Sequence, residues 1–213
     1  MMKIVDTHGI TSVEPLSGSC EWYWGNDYTH GDLYEAEELY RDHHPVNCNR
    51  LVFIHYPDGR VIEPIKGSAG QYFGRPILYN GKIQILLADF PRSLLRILQY
   101  DDITNQVAET ASLPLTDVED CYNLLLYSSP LMLTRQAHDG RFQMIWPEKA
   151  EFSVGEAEHF FDRKGQKLYF SRWYDEPEYR EEIVVRAYPA GEILEIIPGA
   201  WKNMPDGQIW VLR

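Results

Sequence analysis

Three carboxylates, Glu21, Asp120 and Glu158, stand where apolar runs begin at well-separated points of the chain. Carboxyl groups brought to one face from separate strands are what glycoside hydrolysis uses, one as proton donor and one ionised as base or nucleophile. Their neighbours add a second chemistry. Trp22 and Tyr23 follow Glu21, Tyr72 follows Gln71, His159 follows Glu158, and Trp201 sits at a comparable point near the C-terminus. A flat ring beside hydrogen-bonding groups holds a neutral polyol such as a sugar. Glu21, Trp22, Gln71, Tyr72, Glu158, His159 and Trp201 therefore form the candidate ligand-binding set. Glu21, Asp120 and Glu158 form the candidate acid/base set if there is turnover.

Other chemistries find little support. His43 and His44 are adjacent rather than one helical turn apart, so their rings do not easily point at one metal, even with Asp42 beside them; no metal is expected. There is no GxSxG elbow, P-loop or GxGxxG cradle, and no cofactor is expected. Cys20, Cys48 and Cys121 are an odd number without CxxC spacing. That speaks against a disulfide framework or structural zinc and for reduced thiols in the cytoplasm, with Cys20 expected in a strand as a buried, inert thiol. With 32 acidic against 20 basic side chains the net charge is −12, which repels a phosphate backbone. No run approaches the roughly 18 apolar residues of a membrane span. Asp6 and His8 interrupt the apolar start that a secretory signal would need. The expected partners are a small polar ligand or another protein, not nucleic acid or a membrane.

The elements that must carry these residues are announced by turns. Pro57-Asp58-Gly59 lies between apolar runs at 51–56 and 61–65, Asp139-Gly140 between 131–134 and 142–146, and Ala190-Gly191 between 183–188 and 193–197. Glycine at such points supplies the positive φ of tight hairpins. Units centred on His8-Gly9 and Thr104 complete the series. A second series runs out of phase, at His30-Gly31, Asn80-Gly81, Lys164-Gly165 and Asp206-Gly207. Two interleaved hairpin series mean four strands per repeat.

Four-stranded repeats of this kind resemble the blades of a β-propeller. The resemblance implies an all-β, five-bladed ring in one domain, with blades at about 19–66, 67–115, 116–154 and 155–198. The fifth blade joins 199–213 to 1–18, so that N- and C-terminal strands pair and close the ring, removing exposed sheet edges. Tyr100-Asp101-Asp102-Ile103-Thr104-Asn105-Gln106-Val107 is similar to one hairpin of kelch repeats. It occurs once, without the paired glycines of kelch blades, and the Trp-Asp repeat of WD40 blades is absent. The resemblance implies a shape, with the candidate site at the mouth of a central channel, and no particular activity.

Two segments read either way. Leu33, Ala36 and Tyr40 fit a helix face as well as a strand, and Ser93 to Leu98 shares the ambiguity. The 116–154 unit lacks a convincing first strand because Asp117, Glu119 and Asp120 crowd it. The functional expectation is a non-catalytic module binding a small polar ligand such as a carbohydrate. The alternatives are a carboxylate-dependent glycoside hydrolase on the same face and a protein-interaction scaffold using loops such as Trp173 to Glu176.

Overall fold

Runs of alternating apolar residues punctuated by glycine turns give an all-β chain, here in a computed structural model that describes residues 2–204 and 208–213. The expected Asp206-Gly207 turn lies outside the described residues. The chain divides into two compact units, Met1–Leu126 and Tyr127–Arg213.

In the first unit, β1 (Glu14–Pro15), β2 (Trp22–Asn26), β3 (Leu51–His55) and β4 (Val61–Ile62) pair antiparallel in chain order. The second sheet is centred on β7 (Lys82–Asp89). Two short strands, β5 (Gln71–Phe73) and β6 (Ile77–Tyr79), pair with its opposite ends, and β8 (Leu94–Asp101) and β9 (Gln106–Pro114) follow. Pro76, with no N–H for the ladder, stands in the gap between β5 and β6. Asn80 and Gly81 both take positive φ (50° and 73°) in the turn from β6 to β7, as a two-residue hairpin requires. Trp22, Trp24, Leu51 and Phe53 from the first sheet share one core with Phe73, Ile83, Ile85, Leu87, Leu98 and Tyr100 from the second.

Three expectations about this unit change. Leu33–Arg41 is a helix, α1, not the second strand of a blade. Its devices are local: the Asp32 carboxylate caps it by accepting from the Tyr34 and Glu35 N–H groups (2.9 and 3.3 Å), and Glu37 pairs with Arg41 one turn on (3.0 Å). The first sheet fills its fourth place with Glu14–Pro15 instead, which makes Trp22–Asn26 the second strand in order, not the first. Lys3 to Val5 lies outside the strands. The Ser93 to Leu98 segment resolves the other way: Ser93 caps a short 3-10 turn in the left-handed region (φ 54°) and Leu94 to Leu98 lie within β8. The hairpin that resembles a kelch unit is held by its own side chains. Asp101 accepts from the Ile103 and Thr104 N–H groups (3.0 and 3.2 Å), and the Tyr100 hydroxyl bonds the Asn105 carboxamide oxygen (3.0 Å).

From the start of the second unit, β10 (Leu125–Ser128, which spans the boundary at 126/127), β11 (Leu131–Gln136), β12 (Arg141–Trp146) and β13 (Ala150–Ser153) form one sheet in chain order. The weak first strand of the 116–154 segment is therefore real, and starts beyond the acidic cluster. The next sheet runs β14 (Glu158–Lys164), β15 (Lys167–Tyr174), β16 (Arg180–Ala187), β17 (Ile193–Pro198). Met132, Phe142 and Met144 from the former share a core with Phe160, Leu168, Phe170 and Val184 from the latter. A last hairpin pairs β18 (Ala200–Asn203) with β19 (Ile209–Leu212). Among the described residues, no helix is long and apolar enough to cross a membrane.

Candidate binding surfaces

In the first unit most of the candidate residues are engaged by the fold. Trp22 alternates with Tyr23 along β2, and it is Trp22 that points into the core. Its ring lies 4.8 Å from that of His55, and the Arg60 guanidinium sits 5.5 Å over it. Tyr72 is fully buried. Its hydroxyl accepts from the Val46 N–H (2.9 Å), and burial pushes its phenol up from the ordinary value. Gln71 accepts from the Ser68 N–H (3.0 Å) and donates to the buried Asp89 carboxylate (2.7 Å), which also holds Arg92 (2.9 Å). Asp120 accepts from the Tyr122 N–H (2.9 Å) and so shapes its own turn. Glu21 is exposed and precedes β2. Cys20 is exposed as well, a correction to the buried strand position expected for it, because β2 starts only at Trp22.

In the second unit Glu158 is buried, and both its oxygens are occupied. Arg186 grips it with two parallel bonds (Nε to Oε2 2.9 Å, Nη2 to Oε1 3.0 Å), and Arg172 Nη1 stands 3.5 Å from Oε1. The arrangement follows from register, since Glu158, Arg172 and Glu182 are direct cross-strand neighbours on β14, β15 and β16. Arg172 closes the ladder on Glu182 at 2.8 Å. Charges of alternating sign placed opposite one another attract, and the bidentate contact is the strong form of that pairing. Such a carboxylate holds a sheet together, with its lone pairs already committed to guanidinium groups.

His159, next along β14, points to the other face and is exposed. On that face the Trp201 ring stacks flat on Phe161 (centroids 4.3 Å apart, planes 2° apart), and Phe161 lies 6.2 Å from Tyr169. A bulge creates this position. Phe160 pairs with Phe170 and Asp162 with Tyr169, so Phe161 is the extra residue. Trp201, Phe161 and Tyr169 are all half-buried. Sequence alternation could not locate the row, because the bulge breaks the period.

The same bulge buries Asp162. Burial pushes its carboxyl above the ordinary 3.8, against the Arg163 N–H, Lys164 and Ser129, which all favour the charged form. The folded chain therefore holds this proton more tightly than the unfolded chain does. Asp162 makes the protein less stable as pH rises from the ordinary value through the raised one, and costs nothing below both. Asp162→Asn is expected to remove that segment of pH dependence and to stabilise the neutral-pH protein relative to the parent, read from thermal melts between pH 3 and 7 (roughly the range in which carboxyl groups titrate). Parallel curves for the two proteins would refute it.

The hairpin tip joining β15 to β16 carries the most exposed aromatic groups of this sheet. Trp173 is 43% and Tyr179 65% exposed. Between them run Asp175, Glu176 and Glu178, all exposed. The tip is ordered from within. The Arg180 guanidinium lies 4.0 Å over the Tyr174 ring, with that of Arg172 5.4 Å away, and the Tyr179 hydroxyl donates to Glu181 (2.7 Å). That bond to a carboxylate is the main reason the Tyr179 phenol is raised.

Among the described residues, no group of three or more His, Cys, Asp or Glu side chains is placed to hold a metal ion. His43 and His44 are exposed just past α1. No protein-family model matches this chain, and no curated protein matches its sequence, so geometry and chemistry alone carry the functional reading.

Proposed function

We propose that this protein is a non-catalytic binding module, cytoplasmic, and that its principal partner is a basic segment of another protein held at the β15–β16 tip. The observation that carries this reading is the pairing of exposed Trp173 and Tyr179 with Asp175, Glu176 and Glu178 on one internally braced hairpin end. Rings give a partner contact area at low entropic cost, and the carboxylates select for Lys and Arg. The net charge of −12 acts in the same direction. The test is a tryptophan-fluorescence titration with synthetic Lys/Arg-rich peptides at low and high salt. A saturable change that weakens with salt and disappears in Trp173→Ala is expected. A flat response with every peptide would overturn it.

A second reading, recognition of a sugar, is favoured by the half-buried row of Trp201, Phe161 and Tyr169 beside exposed His159. The same titration run with mono- and oligosaccharides separates the two, since the sugar signal would be lost in Trp201→Ala and kept in Trp173→Ala. The hydrolase alternative with Glu21, Asp120 and Glu158 has less support, because Glu158 is clamped by two arginines.

The architecture in this proposal is the five-bladed propeller. It is supported by three four-stranded antiparallel sheets whose strands follow chain order and by neighbouring sheets that share a core within each unit. Of the segments proposed to close it, β19 pairs with β18, and Lys3 to Val5 lies outside the strands.

A further inference from the structure

The core of the first unit ends on polar side chains. Along β2 and β3 one face carries Trp22 and Trp24, opposite His55 and Phe53. With side chains alternating along a strand, the next residues on that face are Asn26, opposite Leu51, and Asn49, two places before Leu51. Pairing continues past the strand ends: the Asp27 N–H donates to the Arg50 carbonyl (3.3 Å), and the Arg50 N–H donates to the Asp27 carboxylate (2.8 Å). Asn26 and Asn49 are therefore diagonal neighbours, Asn26 level with Leu51, the last apolar residue on this face, and Asn49 just past it.

Other segments close over them. Asn26 Nδ2 reaches the Phe73 carbonyl at 3.5 Å. A Cβ at Gly67 would stand 2.5 Å from the Asn49 carbonyl and 3.3 Å from the Phe73 ring, so only glycine lets residues 66–68 lie this close. Two residues past Thr29, a Cβ at Gly31 would meet the Trp24 ring at 3.1 Å and the Arg75 backbone nitrogen at 3.0 Å, which sets this loop against β2 and the segment that follows β5. Asn49 is 0%, Asn26 2% and Thr29 2% exposed. Asn26 Oδ1, Thr29 Oγ1, Asn49 Oδ1 and Asn49 Nδ2 nevertheless have no protein partner. A stable core rarely leaves such groups unpaired, because each loses its bond to solvent on burial.

We propose that this corner is a binding site for ordered water that bridges Asn26, Thr29 and Asn49. The mixture of donors and acceptors selects the ligand. A bare cation would serve the two carboxamide oxygens and the hydroxyl but leave the Asn49 Nδ2 donor unmet, and an anion would do the reverse. Water both donates and accepts, and needs two to four polar partners, which the corner supplies. The bridge would tie the ends of β2 and β3 to the Thr29 loop, completing the first sheet where its apolar residues stop.

A high-resolution crystal structure of the full chain, soaked with thallium(I) as a probe for monovalent cations, tests this. The expected result is a density peak within hydrogen-bond distance of Asn26 Oδ1 and Asn49 Nδ2, without anomalous signal. Side chains bonded directly to one another with no peak would overturn the proposal, and so would an anomalous thallium peak, which means a cation. In Asn49→Leu the peak should be lost. Its persistence there would also overturn the assignment.

Discussion

Arg186→Met should destabilise the protein by about 3–5 kcal/mol, because it leaves the buried Glu158 carboxylate short of its bidentate partner. Arg172, at 3.5 Å and already bound to Glu182, is poorly placed to take over both oxygens. Arg186 also donates to the Gly191 carbonyl (2.6 Å), so the substitution frees the turn leading into β17 as well. Replacing both partners, Glu158→Leu with Arg186→Met, should recover much of the loss, because a pair of apolar groups carries no unpaired charge. Urea unfolding followed by circular dichroism gives the midpoints. A single variant no weaker than an ordinary surface substitution would show that the pair does not hold the sheet. The same cycle bears on function: if Glu158 serves only the fold, Glu158→Gln changes the unfolding midpoint and leaves peptide binding at the β15–β16 tip unchanged.

Truncating Phe142 to alanine is expected to cost a similar amount, about 3–5 kcal/mol, through lost burial and the cavity left behind. Phe142 is completely buried and central to an aromatic cluster, with ring centroids 4.8 Å from Phe160, 5.2 Å from Phe170 and 5.3 Å from Phe152. Those rings come from β12, β13, β14 and β15, so one truncation loosens the contact between two sheets of the second unit. Phe142→Leu keeps most of the volume and should cost well under half as much. Thermal and urea unfolding of the two variants side by side checks the order. Equal losses would mean that volume at this position does not matter, and the packing argument would fail.

Much of the strand content was legible because it is local. Val61, Gly81, Gly140 and Gly165 mark turns or strand starts that survive in the structure, since a positive φ or an alternating run needs nothing from distant residues. Three segments show where local reading stops. Leu33–Arg41 had helical and strand-like spacing together, and the Asp32 cap with the Glu37–Arg41 pair decided for helix. With that place vacated, Glu14–Pro15 joined the first sheet, which shifted Trp22 by one strand from the position expected for it. Phe161 became available at a surface only because a bulge displaced it, and no periodic pattern contains a bulge.

For the candidate site the division falls between residue type and residue commitment. The sequence alone determined that acidic and aromatic side chains cluster at strand starts and loops, that the chain is strongly acidic, and that antiparallel hairpins organise it. Only the tertiary structure decided which of those side chains were already spent. Trp22 and Tyr72 went into the first unit's interior, Glu158 to two arginines, and Trp201 onto Phe161, while Trp173 and Tyr179 remained exposed on a braced tip. The reason is physical: a carboxylate or ring is free for a ligand only if no partner from another strand satisfies it first. Strand register and bulges, set by packing across the whole sheet, determine which partners arrive.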